Sequence, residues 1–342
     1  MDTICIVIDG ISNSGGTDRV AANLSNMFTE HGYDVTLCPL STGEPYYFIS
    51  DKVNIIQPKF RLRLRLLYEV ACEIKKKKFT YTIIISMGRL SFQLVPLLRI
   101  ISSGTKIICS DHVSIESFPF YVRFMKYFSY FLSDKLVVLT EHDKRFLKAI
   151  LKNKDIDVIR NQSPFSIEVD NEKEKVAIAV GRLSAQKNFS RLLDIWVKAK
   201  TDDWCLYIIG DGEEKNLLSN KIKSNHLSNV KIISATKDLR SWYKRSSLLL
   251  MTSRYEGLPM VLIEAKSFGL PVIAFDCKTG PQEIIRNDGV LVEYHDDEHF
   301  VRALNELMFD HERRYVMSSI AIENALRYSE SSIFEQWLKV IK

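Results

Sequence analysis

The sequence predicts an α/β protein of two doubly wound domains in tandem, and three observations predict it. Strand-length runs of Val, Ile and Leu alternate with helix-length amphipathic segments. A polar, Pro-containing stretch interrupts this alternation after Asn161, and the alternation then begins again. Strands that are apolar along their whole length belong to parallel sheets covered on both faces, because each side of the strand meets a helix. A chain of 342 residues also suits about two domains.

The first domain is expected over residues 1–163, with strands at 3–9, 34–40, 53–57, 81–86, 106–109, 135–140 and 156–159. Amphipathic spacing predicts helices over Asp18–His31, Arg61–Lys78 and Glu141–Lys152. Residues 164–174 contain Pro164 and are otherwise mostly polar, which reads as a linker. The second domain, 175–325, has strands at 176–180, 204–209, 230–233, 247–251, 271–275 and 289–293. From about Asp310 the pattern is helical, with a terminal helical segment over 326–342.

Composition narrows the class. Hydrophobic residues make up 46% of the chain, ample for two cores, yet no segment reaches the roughly 18 uninterrupted apolar residues of a membrane span. The N-terminal Met-Asp-Thr-Ile-Cys-Ile-Val-Ile has no basic head and reads as a first strand, not a signal peptide. Six scattered cysteines without a Cys-x-x-Cys pair read as reduced thiols in a cytoplasmic protein. Net charge is +5, and the excess lies in residues 1–165, which hold 22 Lys and Arg against 16 Asp and Glu.

Open α/β sheets bind ligands in the loops after their strands. The most informative loop is Thr252 to Glu264, Thr-Ser-Arg-Tyr-Glu-Gly-Leu-Pro-Met-Val-Leu-Ile-Glu, which follows the apolar run Leu248–Met251. Pro259 is suited to the first helical position. The turn beyond it exposes backbone N–H groups and the positive end of a helix dipole, a seat for phosphate. Gly257 and Leu258 bring backbone close to a ligand, while Glu256 and Glu264 each offer a carboxylate to a hydroxyl-rich group. A second loop, Gly181-Arg-Leu-Ser-Ala-Gln-Lys187-Asn188, places Arg182 and Lys187 where both can converge on one anion. A carboxylate beside a phosphate is repulsive, so such a site needs both cations.

Glu256 and Glu264 with seven residues between, together with Gly-Arg-Leu-x-x-x-Lys-Asn, resemble the retaining glycosyltransferases of family four. The resemblance is strongest from Gly181 to Glu283. It implies two Rossmann-like domains of the B-type (GT-B) fold with a deep interdomain cleft, and a final helix that returns to the first domain. It implies a nucleotide-sugar donor, most often UDP-linked, whose ribose meets Glu264 and whose diphosphate meets Arg182 and Lys187. Glu256, the Gly257–Leu258 backbone and His112 would then position the sugar, with Pro259 among the donor-binding residues. The paired Gly15 and Gly16 after the first strand resemble the loop that closes over the sugar phosphate or meets the acceptor. Expected acceptors are a saccharide or a polyprenyl-diphosphate-linked saccharide in bacterial surface polysaccharide synthesis. With two cations and a helix dipole at hand, the family mechanism needs neither cofactor nor metal. Asp155-Ile156-Asp157, which resembles a metal motif of other glycosyltransferases, reads here as the start of a strand.

Two rivals stay open at this level, a nucleotide-sugar epimerase and a non-catalytic nucleotide-sugar binder. One further feature has two readings. Phe118–Leu132 interleaves aromatics with Arg123 and Lys126, near the basic stretch Arg61–Lys78. This suits a membrane interface with anionic lipid, or equally a core-facing aromatic stripe with a solvated basic side. No nucleic-acid motif accompanies the basic residues.

Overall fold

The computed structural model describes residues 2–13, 15–57, 62–86, 89–102, 104–168 and 172–342. The chain forms two compact units, 1–162 with 330–342, and 163–329.

In the first unit the elements run β1 (Thr3–Ile8), α1 (Gly16–Glu30), β2 (Asp34–Pro39), β3 (Asn54–Ile55), α2 (Arg63–Lys77) and β4 (Tyr81–Ser86). They continue as α3 (Leu90–Ile101), β5 (Lys106–Asp111), α4 (Phe120–Leu132), β6 (Lys135–Val138), α5 (Glu141–Ile150) and β7 (Ile156–Val158). Among the described residues the strands form one parallel sheet in the order β3-β2-β1-β4-β5-β6-β7. β4 is buried along its whole length, as strands covered on both faces must be. Leu66, Leu94, Tyr130 and Leu147, from α2, α3, α4 and α5, share one core against the sheet. Leu24 and Phe28 of α1 build the core on the other side. The helix expected from Arg61 begins at Arg63; Arg61 itself lies outside the described residues.

The second unit runs β8 (Val176–Val180), α6 (Phe189–Lys198), β9 (Cys205–Ile209), α7 (Lys215–Ser224), β10 (Val230–Ile233), α8 (Leu239–Arg245) and β11 (Leu248–Met251). It continues as α9 (Met260–Ser267), β12 (Val272–Asp276), α10 (Pro281–Ile284), β13 (Gly289–Glu293), α11 (Asp297–Phe309) and α12 (His311–Ala325). Its parallel sheet has the order β10-β9-β8-β11-β12-β13. The order reverses between β8 and β11, so the loops after these two strands flank the switch point where such sheets bind ligands. Both domains are therefore Rossmann-like, as the sequence pattern predicts.

Two boundaries differ from the sequence reading. The described part of the expected linker is fastened to the second unit, with Glu168 N donating to Ser267 O at 2.8 Å; Ser163, expected in the first domain, also belongs to the second unit and donates its N–H to Tyr328 O at 2.8 Å. Glu174 N likewise donates to Arg245 O at 2.8 Å. Backbone groups satisfied this way do not behave as a free tether. The terminal helix, α13 (Glu330–Val340), starts after a short turn at Leu326–Tyr328. It belongs to the first unit, where Trp337 meets Phe28 edge-on at 5.9 Å.

Candidate active site

The site is built where three neighbouring strands of the second unit end. The loop after β8 carries Arg182 and Lys187, the loop after β11 carries Glu256, and the loop after β12 carries Thr279 and Gly280. Polar side chains lace them together. Thr252 Oγ1 donates to the carbonyls of Lys187 and Asn188 at 3.1 and 3.2 Å. Arg254 N donates to Gln186 O at 2.8 Å, and Gln186 Nε2 to Tyr255 O at 3.0 Å. Thr279 Oγ1 donates to Glu256 O. None of these bonds depends on a charged pair, so the loops hold position before any ligand arrives.

Within this frame Lys187 Nζ lies 2.6 Å from Glu256 Oε1, with side-chain exposures of 17% and 8%. Exposures this low place the pair away from the solvent screening that weakens surface ion pairs. Gly181 makes room for it, because a Cβ there would stand 3.0 Å from Lys187 Cε. Arg182 behaves differently. Its guanidinium is 75% exposed and pairs loosely with Glu213 at 3.3 Å. The structure thus brings Lys187 to Glu256 and leaves Arg182 beside Glu213.

Gly280 closes the third side. Its φ is +97°, and an added Cβ would stand 2.6 Å from both Gly257 O and Pro259 Cδ. Only glycine allows this loop to lie on the 257–259 turn. Pro259 is the N-cap of α9, one position earlier than expected, and no side chain caps this helix. Its first N–H groups and dipole remain for an anion.

Glu264 lies on the second turn of α9 and is 3% exposed. Its Oε2 accepts from Tyr243 Oη at 2.7 Å. Tyr243 is in turn stacked on Phe268, with centroids 5.6 Å apart and planes 9° apart, and meets Phe165 edge-on. The far end of α9 is anchored by Lys266, buried against Asp288, which also accepts from Asn324 Nδ2 at 3.1 Å. Burial pushes the Lys266 pKa down, opposed by the Asp288 charge. Sequence reasoning missed Tyr243, Thr252 and Lys266. Thr252 had a signal, a hydroxyl placed directly at the end of an apolar strand.

The residues singled out in the first unit stand in their own surroundings. His112 follows β5; its Nε2 lies 3.0 Å from Ser110 Oγ, while its Nδ1 is buried without a hydrogen-bond partner among the described residues. Burial, aided by the Lys126 charge, lowers its pKa to about 4. The ring lines a small cavity with Asn23, Asn161 and Gln162. The neighbouring Asp111 carboxylate is held instead by Lys126 Nζ at 2.7 Å and by Tyr130 Oη. Gly15 is the N-cap of α1 and Gly16 its first residue, where an added Cβ would meet nothing within 4 Å among the described residues. Among the described residues no cluster of His, Cys, Asp and Glu has the makings of a metal site.

Two Rossmann-like domains, with a lysine–carboxylate pair at the switch point of the second, match the B-type glycosyltransferase fold. The chain belongs to the glycosyltransferases: the model described as Glycosyl transferases group 1 matches residues 161–324, and that of Glycosyltransferase Family 4 matches residues 14–162. It is 47% identical to the amylovoran biosynthesis glycosyltransferase AmsD of Erwinia amylovora over the whole of both chains. It is 27% identical, over 96% of this chain and 95% of the relative, to a Campylobacter jejuni protein. That protein is named GalNAc-alpha-(1->4)-GalNAc-alpha-(1->3)-diNAcBac-PP-undecaprenol alpha-1,4-N-acetyl-D-galactosaminyltransferase. Among solved structures, Staphylococcus aureus TarM, crystallised with UDP, superposes over the whole of both chains with a TM-score of 0.84 at 16% identity.

Proposed function

We propose that this protein is a retaining α-glycosyltransferase of bacterial surface polysaccharide synthesis. It moves a hexose or N-acetylhexosamine from a UDP-linked donor to a saccharide or lipid-linked saccharide. The observation that carries the reading is the buried Lys187–Glu256 pair at the switch point, with Glu264 on the adjoining helix. The names of the relatives support the pathway class and a polyprenyl-linked acceptor, and the UDP in TarM supports the nucleotide.

In this reading the second unit holds the donor. Glu264, oriented by Tyr243, accepts hydrogen bonds from the ribose hydroxyls. Lys187 and the first N–H groups of α9 receive the diphosphate, and Arg182 adds charge when it leaves Glu213. Glu256 and the Gly257–Leu258 backbone orient the sugar. The bond from the anomeric carbon to the diphosphate oxygen breaks, and its electron pair leaves with UDP. The acceptor hydroxyl attacks on the same face, and its proton passes to the departing phosphate oxygen. Charge that develops on that oxygen meets fixed positive groups, so no metal is required.

A turnover assay with UDP-sugars and a lipid-linked saccharide tests the reading. The expected result is acceptor-dependent release of UDP, an α-linked product by NMR, and a rate unchanged by EDTA. UDP-sugar interconversion without acceptor would instead make the protein an epimerase, and binding without turnover would make it a carrier.

A further inference from the structure

The segment 163–168, most of it expected to be a linker, is stitched to two helices of the second unit. On α9, Ser163 Oγ lies 2.7 Å from Ser267 Oγ, and the Glu168 N–H reaches Ser267 O. On α8, Arg240 Nε donates to Glu168 Oε1 at 2.8 Å. The Ser163 hydroxyl also closes a tight turn, accepting from Phe165 N at 3.2 Å. These bonds fix the backbone on both sides of Phe165.

The turn presents the Phe165 ring to an aromatic cluster. It meets Tyr243 of α8 edge-on at 5.9 Å and Phe268, the C-cap of α9, edge-on at 5.2 Å. Tyr243 is fully buried, with Phe268 parallel to its ring and Phe165 across it. A tyrosine hydroxyl is a fixed donor only when its ring is fixed, and edge-to-face and parallel neighbours together set both tilt and position. The hydroxyl so fixed is the one that donates to Glu264 Oε2 at 2.7 Å.

We infer that Phe165 is a positioning residue of the donor site: it holds the Tyr243 ring so that the Glu264 carboxylate stays turned toward the ribose hydroxyls of a nucleoside diphosphate. The inference rests on the proposed role of Glu264 and adds a residue from outside the strand-end loops. Simple apolar cover is the rival account. Phe165 is only half-buried, and cover alone would not call for hydrogen bonds on both sides of it. The chain enters the second unit through this stretch, so a shift of the entry segment reaches Glu264 through Phe165 and Tyr243.

Calorimetric titration of the full chain with UDP and with 2′-deoxy-UDP tests the inference. The proteins are wild type, Phe165→Leu, Phe165→Tyr, Tyr243→Phe, Glu264→Ala and the double variant Phe165→Leu, Tyr243→Phe. The readout is the ratio of the two affinities, because a general loosening weakens both nucleotides alike. Phe165→Leu is expected to lower that ratio about two- to tenfold, the range an aromatic pair contributes. Phe165→Tyr, which keeps the ring, is expected to keep the wild-type ratio. In the double variant the leucine should lower the ratio no further than Tyr243→Phe does. Equal weakening of both nucleotides, an unchanged ratio, or a further loss in the double variant overturns the inference. Should Phe165→Leu not fold, Ser163→Ala, which frees the turn from Ser267, is read in the same way. A ratio lost in Glu264→Ala but intact in Phe165→Leu rejects the role of Phe165 alone. A ratio intact in Glu264→Ala rejects the ribose role of Glu264, and the inference with it.

Discussion

Lys187 and Glu256 neutralise each other at 2.6 Å, and a diphosphate arriving beside them competes for the same ammonium. Lys187→Met removes a charge-assisted partner, so UDP affinity is expected to fall by about 1.5–3 kcal/mol in calorimetry. Glu256→Ala leaves the diphosphate contacts in place and is expected to lower kcat more than UDP affinity. Tyr243→Phe deletes the hydroxyl donated to Glu264 at 2.7 Å. About 1 kcal/mol of UDP affinity goes with it, together with much of the preference for UDP over 2′-deoxy-UDP. An unchanged preference would make Tyr243 a packing residue. His112 keeps a neutral imidazole down to about pH 4, which NMR titration of the ring reads directly. Because its native pKa lies below the usual 6.5, protons favour the unfolded chain, and its contribution to stability is lost as pH falls from 6.5 to about 4. Lys187, Glu256 and Glu264 were legible because each sits just after a recognisable strand or on the helix that follows it. Tyr243 was not, since its bond to a carboxylate 21 positions away is made only by folding.

At the scale of elements, α9 connects sequence to chemistry. Pro259 and Gly280 fix where it starts, Tyr243 fixes its carboxylate, and Lys266 with Asp288 fixes its far end. Gly280→Ala forces a Cβ against Gly257 O and Pro259 Cδ at a φ of +97°. A loss of about 1–3 kcal/mol is expected in thermal unfolding, with kcat/KM falling as the turn shifts. Lys266→Met strands a buried carboxylate and is expected to cost about 3–5 kcal/mol, read as a lower denaturant midpoint. The sheets were read well from sequence because a parallel strand buried on both faces is apolar at every position. The surface of α4 was not, because aromatic residues spaced for a helix look alike whether they face a core or solvent. In the folded chain Tyr130, fully buried, and Phe124, largely exposed, tell the two faces apart.

At the scale of the molecule, the proposed donor chemistry lies on the second unit. Donor identity is where the sequence says least, since sugar choice depends on the shape of a few side chains and not on any motif. Nucleotides that bind the native state raise Tm by mass action, so a panel of nucleotide sugars ranks the candidates. The central claim is that one lysine and two carboxylates of the second unit form a nucleoside-diphosphate site. Titration of UDP by calorimetry into wild type, Lys187→Met and Glu264→Ala tests it most directly. The account predicts saturable binding to wild type and at least about tenfold weaker binding to each variant; three indistinguishable isotherms would contradict it.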